Sequence, residues 1–386
     1  MSNRLKLIIV SLLVMVGLIL SSGAGCILTE ESVPTTETVP NTDSHLDAVK
    51  EAWDIISGNY VDQSKIDANA LSQAAIKGMV EALNDPYTAY FTPETYQVFL
   101  KSLAGKFEGI GATVGVRDKQ IMITAPLPNS PADRAGIRAG DIILGVNGEL
   151  TEGLSLEEVV LRIRGPKGTP VRVTIQHQGE ATPIELEIIR AELDLPSVSF
   201  EMRDGMAYIR IIYFSDRTLS ELSPVIERLG REGATGVILD LRSNPGGPLV
   251  AGVNVASLFL KEGVVLYVLD REGEETTYPV KRSTVNTALP LVVLTDNYTA
   301  SCSEVLAGAI QDHKRGVLAG MKTYGKGSVN NLYQLPDGSA LLLTTARWLT
   351  PNRRLIEGQG IEPDYALMLE DEAAVQWAIN YLKGKK

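Results

Sequence analysis

Residues 290–314 read PLVVLTDNYTASCSEVLAGAIQDHK, and this stretch decides the fold class of the chain. The apolar run that ends at Leu294 predicts a strand, and the residues from Cys302 onward predict a helix. The same order occurs earlier, where GVILDLR is followed by GPLVAGVNVASLFL. Nearly continuous Val, Ile and Leu are typical of strands covered on both faces. The alternation from about Asp194 onward therefore predicts an α/β unit.

Two loops follow strands of this unit, RSNPGG at residues 242–247 and DNYTAS at residues 296–301. In α/β folds, sites form at the loops beyond the carboxyl ends of the strands. The second loop runs into three candidate nucleophiles, Ser301, Cys302 and Ser303. A serine at a helix start is also a routine N-cap. One serine can therefore cap this helix and leave the other free to react.

A nucleophile also needs a base and an oxyanion hole. None of the histidines is placed for a triad; they are His45, His177 and His313. Serine hydrolases also use Ser-Lys pairs, and Lys326 in YGKGS is the candidate, provided that it is desolvated rather than a solvated turn residue. Gly246 and Gly247 can present backbone N–H groups to an anion, or they form only a tight turn.

The N-terminus predicts export. Arg4 and Lys6 precede an apolar run over residues 7–20, and small residues lead to Cys26, which is the order of a signal sequence. Cys26 after SGAG resembles a bacterial lipobox, although Gly23 stands where Leu is usual. Residues 1–26 are therefore a lipoprotein signal or an uncleaved anchor. Residues 27–44 read as a tether, and in either case the body of the protein lies outside the cytoplasmic membrane.

Composition excludes several classes of protein. The net charge of −11 argues against nucleic-acid binding. Two cysteines, far apart, exclude a disulfide framework, and the scattered histidines argue against a metal site. We therefore expect no metal and no cofactor.

Between the tether and the α/β unit, two kinds of pattern follow each other. Residues 45–106 have helical periodicity, as in LDAVKEAWDIISGNY and ANALSQAAIKGMVEAL. Residues 107–192 contain short β-branched runs, IMITAPL, DIILGVNG, PVRVTIQ and IELEIIR, and one helix, SLEEVVLRI. This second region predicts a small sheet module.

Several blocks, in order, resemble the carboxyl-terminal processing (tail-specific) serine proteases of peptidase family S41. GVILDLRSNPGG is similar to the family's DLRxNPGG block, and TASCSEVLAGAIQDHKR to its SASASEI-AGA-QD--R block. KTYGKGSVN and GIEPD match the later TFGKGxVQ and GIxPD blocks. Upstream, GKFEGIGATV and NSPADRAGIRAGDIILGVNG resemble an inserted PDZ domain. The resemblance covers nearly everything past residue 45.

The resemblance implies specific roles. Ser301 falls on the family nucleophile and Lys326 on its general base, while the N–H groups of Gly247 and Cys302 fall on the oxyanion hole, with Gly246 as the alternative to Gly247. Ser303 then caps or orients. The family usually has Gln where this chain has Asn330, a shorter amide that is expected to orient the lysine. The thiol of Cys302 is the alternative nucleophile.

In the sheet module, EGIGA resembles the PDZ loop that binds a peptide's C-terminal carboxylate; its residues are Gly109, Ile110, Gly111 and Ala112. Arg164 resembles a family arginine that links the PDZ domain to the protease core, and its alternative is a structural surface role. Binding at the PDZ domain would then open the site, an allosteric coupling.

The expected architecture is an α/β multidomain protein, with a crotonase-like or ClpP-like protease core and an inserted PDZ domain. The expected domains are an N-terminal helical region at 45–106, the PDZ domain at 107–192, the core at 193–370 and a C-terminal helix at 371–386. That helix is a candidate to pack on the N-terminal helices or on a second subunit, which leaves a homodimer open.

The expected function is a serine endopeptidase, exported and tethered to the membrane, that recognises the free C-termini of protein substrates. The alternative is a non-catalytic peptide-binding scaffold of the same architecture.

Overall fold

The computed structural model describes residues 43–117, 120–127, 129–152, 156–180, 182–368 and 371–384. The predicted signal, Cys26 and nearly all of the tether lie outside these residues. Within these ranges, no helix combines the length and the apolar character that crossing a membrane requires.

The described residues from Asp43 to Asn84 belong to a unit of their own. Its described part consists of α1 (Asp43–Asn59), a 3₁₀ turn (Gln63–Lys65) and α2 (Ala68–Ala82), which confirms the predicted helices. The carboxylate of Asp67 caps α2 by accepting the N–H groups of Asn69 and Ala70. None of the described side chains from 46 to 84 is buried. Large apolar side chains are exposed; they are Leu46, Val49, Ile55, Ile56, Tyr60, Val61, Met79 and Leu83.

The second unit begins at Asp85. Its first part contains β1 (Ala89–Phe91), α3 (Pro93–Leu103) and β2 (Lys106–Gly109). The predicted sheet module follows and is confirmed as a six-stranded sheet in the order β3-β4-β5-β7-β8, with β6 paired to β5. The strands are β3 (Ala112–Arg117), β4 (Gln120–Pro126), β5 (Ile142–Val146), β6 (Glu149–Leu150), β7 (Pro170–Gln176) and β8 (Ile184–Ile189).

Two helices, α4 (Pro131–Arg134) and α5 (Leu156–Ile163), accompany this sheet. A separate cluster of buried side chains, including Ile123, Ile143 and Val173, forms the core of the module. The chain leaves it through β9 (Ala191–Asp194), which pairs with β2. Entry and exit of the module therefore lie side by side, as expected for a domain inserted into another.

The α/β unit contains a six-stranded sheet in the order β10-β11-β12-β15-β16-β19. Its strands are β10 (Val198–Arg203), β11 (Met206–Ile211), β12 (Gly236–Asp240), β15 (Leu291–Thr295), β16 (Val317–Gly320) and β19 (Tyr365–Ala366). All pairs are parallel except β10 with β11. Every residue of β12 and β15 is buried, which confirms strands covered on both faces.

One face of this sheet is covered by α6 (Thr218–Arg228), α7 (Leu249–Ala256) and α8 (Cys302–Asp312). The other face is covered by α9 (Asp371–Lys383), through Val375, Ala378, Ile379 and Leu382. The apolar face that was expected to pack on the N-terminal helices or on a second subunit therefore packs on the core sheet instead, against Ile238 and Val292.

A second, five-stranded sheet is absent from the sequence analysis. It runs β1-β18-β13-β14, with β17 also paired to β18. Its further strands are β13 (Val264–Asp270), β14 (Glu275–Pro279), β17 (Ser328–Gln334) and β18 (Ala340–Leu349). β1 pairs Ala89 with Leu342, more than 200 positions away in the chain. Local periodicity contains no signal for such a partner, so this region was assigned to helices alone.

Candidate active site

The two loops that follow β12 and β15 meet, as the sequence predicted. The carboxylate of Asp296 accepts the Ser243 N–H at 2.9 and 3.0 Å and the Ser243 hydroxyl at 3.0 Å. The Ala300 N–H donates to the Asn244 carbonyl at 3.0 Å. Parallel neighbouring strands place their carboxyl ends at one edge of the sheet, and these bonds join the loops there.

Ser301 has an unusual backbone conformation. Its φ of 56° and ψ of −120° lie outside the regions that L-residues normally occupy. Such a conformation costs of order 1–3 kcal/mol, and it persists only where the surroundings impose it. Ser301 is the N-cap residue of α8 and is 8% exposed. Ser301 therefore lies in a strained turn at a strand-turn-helix junction, the arrangement that other hydrolases use for a nucleophile.

Gly246 makes room for this turn. Its φ is 97°, and a Cβ added to it would lie 2.8 Å from Ser301 Cβ and 2.9 Å from the Cys302 nitrogen. Only glycine lets the two backbones approach this closely. The DLRSNPGG loop therefore lies directly against the candidate nucleophile.

The hydrogen bonds of this loop distinguish Gly246 from Gly247 as the first donor of the oxyanion hole. The Gly246 N–H donates to the Asn244 side-chain oxygen at 2.9 Å, so it is already used. Across the described residues, no hydrogen bond engages the N–H of Gly247 or of Cys302. This geometry favours Gly247 over Gly246 as the first donor. The N–H groups of Gly247 and of Cys302, at the start of α8, are then the pair open to an oxyanion.

Cys302 and Ser303 point away from this opening. The Cys302 thiol is buried and donates to the Pro248 carbonyl, and burial raises the pKa of this thiol well above its usual range. Burial without a cation to stabilise the thiolate disfavours Cys302 as the nucleophile. Ser303 lies inside α8, where its hydroxyl donates to the Asn244 carbonyl at 3.2 Å. The expectation that Ser303 caps the helix was wrong, because Ser301 holds the N-cap position.

Lys326 lies in the loop between β16 and β17 and is 1% exposed. Desolvation lowers the pKa of its ammonium from 10.5 to about 7, against the nearby carboxylates of Glu357, Asp85 and Glu304, which raise it. The lysine is therefore buried rather than a solvated turn residue. Its neutral form, which a general base requires, is accessible near neutral pH.

Two contacts fix the backbone around the lysine. The Trp348 indole N–H donates to the Lys326 carbonyl at 2.9 Å, and Trp348 is itself buried. Gly327 lies so close to the turn at Glu357 that an added Cβ would be 2.5 Å from the Glu357 nitrogen. The absence of a side chain at Gly327 thus permits this close packing beside the lysine.

Glu304 joins the nucleophile turn to the lysine loop. Its carboxylate accepts the backbone N–H groups of Ser301 and Lys326, each at 2.9 Å and on the same oxygen, Oε2. The other oxygen, Oε1, accepts the Gly325 N–H at 2.7 Å and the Thr323 hydroxyl at 2.6 Å. The structure therefore brings Ser301 and Lys326 into one buried cluster, although they are 25 residues apart in the chain.

Asn330 lies at a β-bulge between β17 and β18. Its side-chain N–H group donates to the Tyr87 carbonyl at 2.9 Å and to the Thr344 hydroxyl at 3.0 Å. The Tyr87 ring centroid lies 4.8 Å from the Lys326 ammonium, within the range of a cation–π contact. Asn330 thus supports a residue that covers the lysine, and its side-chain oxygen is buried with no partner among the described residues.

The predicted peptide-binding loop lies between β2 and β3. The Ile110 carbonyl accepts a hydrogen bond from the Ala132 N–H at 2.7 Å. Gly111 has a φ of 79°, and its carbonyl accepts hydrogen bonds from the Leu127 N–H and the Ser130 hydroxyl. Gly109 ends β2, and Ala112 begins β3. β3 has one strand neighbour among the described residues, β4, so its other edge is where an extended peptide would add.

Arg164 follows α5 at the junction between the sheet module and the α/β unit. Its guanidinium carbon lies 5.9 Å from the Phe107 ring centroid, and Phe107 contacts Tyr213 edge-on at 5.1 Å. Desolvation lowers the pKa of Arg164. Arg164 is half-buried and touches the aromatic pair that connects the module with the residues after β11.

Three residues of the site, Glu304, Tyr87 and Thr323, were not predicted from sequence patterns. One signal for Glu304 was present, since Ser301 and Glu304 have the spacing of a capping box. No local signal exists for Tyr87, because it lies 239 positions before Lys326 in the chain.

Three family models match the chain. Peptidase family S41 matches residues 205–367, the PDZ domain matches residues 100–176, and the activating protease CtpB N-terminal domain matches residues 18–95.

Curated relatives match over most of the chain. The carboxy-terminal processing protease CtpB of Bacillus subtilis (strain 168) is 36% identical over 90% of this chain and 74% of its own length. The carboxy-terminal processing protease CtpA of the same organism is 34% identical over 98% of this chain and 80% of its own length. Among solved structures, a photosystem II D1 C-terminal processing protease is 30% identical, with a TM-score of 0.57, over 84% of this chain and 95% of its own.

The strain at Ser301 can be measured by comparing two variants that both lack the hydroxyl. Glycine adopts a positive φ without cost, so we expect Ser301→Gly to be about 1 kcal/mol more stable than Ser301→Ala. Urea unfolding followed by circular dichroism measures the difference. The matched pair is Ser303→Gly and Ser303→Ala, where glycine should be about 1 kcal/mol less stable because residue 303 is helical. The same order at both positions would contradict strain at Ser301.

Proposed function

The chain belongs to the carboxy-terminal processing proteases of peptidase family S41, and we propose that it is a serine endopeptidase whose Ser301 and Lys326 form the catalytic dyad. The observation that carries this proposal is the burial of Lys326 in a loop bonded, through Glu304, to the strained turn of Ser301. Each feature costs free energy of folding, and a scaffold that only bound peptides would have no use for either.

The chemistry follows from these positions. Neutral Lys326 takes the proton of the Ser301 hydroxyl as Oγ attacks the scissile carbonyl. The N–H groups of Gly247 and Cys302 stabilise the resulting oxyanion, a contribution of about 100- to 1,000-fold in rate for one donor. The protonated lysine then returns its proton to the leaving amine. Water attacks the acyl-enzyme, again with Lys326 as base, and regenerates Ser301.

In this mechanism, Asn330 acts through Tyr87 rather than by direct contact with Lys326. The Tyr87 ring covers the ammonium, and the Asn330 amide holds the Tyr87 backbone in place. The shorter side chain of Asn330, compared with the family's usual Gln, is matched here to a backbone carbonyl within its reach.

Substrate selection in the proposal falls to the PDZ domain. A free C-terminal carboxylate binds the backbone at Gly109, Ile110, Gly111 and Ala112, and the peptide adds to the open edge of β3. Arg164, enclosed against Phe107, couples this binding to the protease core. We further propose that residues 1–26 direct export and tether the protein to the membrane by a lipid on Cys26 or by an uncleaved helix.

The unit of α1 and α2 is proposed as a contact with a second copy of the chain. Its apolar side chains are exposed, and two short helices bury too little surface by themselves to be stable. Sedimentation of the chain with and without residues 1–84 tests this, because loss of the segment should convert a dimer to a monomer.

Cleavage of fluorescein-labelled casein tests the dyad. We expect Ser301→Ala and Lys326→Ala each to lower kcat by at least about 1,000-fold, because each removes a reacting group. Matched controls are Ser220→Ala in α6 and Lys322→Ala in the lysine loop, both exposed positions that should keep full activity. Activity that survives in Ser301→Ala but is lost to iodoacetamide would identify Cys302 as the nucleophile. Failure of the wild-type protein to cleave would favour the peptide-binding scaffold.

The pH dependence of kcat/KM reports the state of Lys326. The base acts when neutral, so activity should rise through the lowered pKa of about 7 and fall by at least about tenfold per pH unit below it. The measurement is kcat/KM from pH 5.5 to 9.5 at constant ionic strength. An acid limb centred above pH 9 would mean that the lysine keeps the pKa of a solvated side chain.

Recognition of C-termini is tested with two peptides that differ only in their last group. Binding to Ser301→Ala, which cannot cleave, is followed by fluorescence anisotropy. A C-terminal amide should raise Kd about tenfold relative to the free carboxylate, because hydrogen bonds to a charged group are lost. Equal affinity of the two peptides would rule out the proposed carboxylate loop.

A further inference from the structure

We propose that Glu304 is a positioning residue of the reaction, whose carboxylate holds the backbones of the nucleophile and of the base at a fixed distance from each other. This inference rests on the proposed function and assigns a role to a residue that touches neither substrate nor reacting atoms. It is argued from four hydrogen bonds, from burial and from the position of Glu304 in the fold.

The hydrogen bonds of Glu304 extend beyond those of a helix cap. In a capping box, the side chain three residues after the N-cap binds the N-cap N–H and has no further task. Glu304 makes that bond, to Ser301. Its other three bonds go to Thr323, Gly325 and Lys326, in a loop that follows another strand. A helix cap alone needs none of these three.

A single atom of Glu304, Oε2, binds the backbones of both Ser301 and Lys326. Oε2 accepts the N–H of Ser301 and the N–H of Lys326, each at 2.9 Å. The two nitrogens therefore lie within about 6 Å of each other, twice the hydrogen-bond length. A displacement of either loop lengthens one of the two bonds, so the carboxylate opposes separation of the dyad.

The Glu304 carboxylate is buried together with its hydrogen bonds. The Glu304 side chain is 0% exposed, so water cannot replace any lost bond. The four bonds use both oxygens fully. An amide in place of the carboxylate has a single acceptor oxygen, and its NH₂ group would face N–H donors. Buried N–H groups would then lose their acceptor, and the loops would have to move apart to reach other partners.

The charge of Glu304 adds a signature that a purely structural residue lacks. Glu304 raises the pKa of Lys326 through its charge, as do Glu357 and Asp85 to a larger extent. Burial raises the pKa of Glu304 itself to about 7, against the hydrogen bonds that lower it. The other titratable groups facing Glu304 are Tyr87 and Tyr324. Removal of this charge should therefore lower the pKa of Lys326.

The test compares Glu304→Gln with the wild-type protein in the casein assay across pH. We expect kcat to fall about 100-fold with KM changed by less than about threefold, because binding surfaces are intact while the dyad is displaced. We also expect the remaining activity to have its acid limb at lower pH than the wild type. The matched control is Glu221→Gln, since Glu221 binds the Ser197 N–H and Arg217 away from the site. Its kcat should match the wild type.

Two milder variants, both at Thr323, test the same role if Glu304→Gln does not fold. Thr323→Val removes one of the four donors and should lower kcat about tenfold. Thr323→Ser keeps the hydroxyl and should restore most of the activity. Circular dichroism and thermal unfolding establish which variants are folded.

The outcomes separate this inference from the proposed function. If the wild type cleaves casein, and a folded Glu304→Gln keeps kcat within about threefold or shows an unmoved acid limb, the positioning role is wrong and the dyad stands. The role is equally wrong if Thr323→Val and Thr323→Ser are alike. If the wild type cleaves nothing, the proposed function fails, and the role assigned to Glu304 fails with it.

Discussion

The buried carboxylate of Glu304 is the contact on which the geometry of the candidate site depends. Ser301 follows one strand of the parallel sheet and Lys326 follows the next, so each position is set by its own strand. Their separation is then set by what joins the loops, and four donors converge on this carboxylate. Burial of a charge is costly, but charge-assisted hydrogen bonds offset the cost and resist displacement because no water competes for them.

The site concentrates features that oppose folding. Ser301 is held in a strained conformation, and the ammonium of Lys326 is removed from water. Such features persist only where the scaffold is rigid. Here α8 is buried along nine consecutive residues from Cys302 to Ile310, between the parallel sheet and the second sheet. The large apolar core around this helix supplies the stability that Ser301 and Lys326 lower.

Much of this arrangement was predictable from local patterns, and the rest depends on contacts between distant segments. Continuous apolar runs predicted β12 and β15, and the general rule for α/β sheets predicted that their loops would meet. The second sheet was not predicted, because β1 has three residues and pairs with a strand some 250 positions later. Ser303 was expected to cap or orient, because spacing alone cannot tell which serine leaves the helical conformation.

The amino-acid sequence by itself determined the family, the alternation of strands and helices in the α/β unit, and Ser301 and Lys326 as the candidate nucleophile and base to test. The alternation follows from local patterns of apolar residues, whereas the two candidates rest on the resemblance of their sequence blocks to the family. Only the tertiary structure decided that Glu304 joins the two loops, that Tyr87 covers the lysine, and that Gly247 rather than Gly246 has an open N–H. Desolvation and hydrogen bonding between distant residues arise only when packed strands bring the groups together and exclude water.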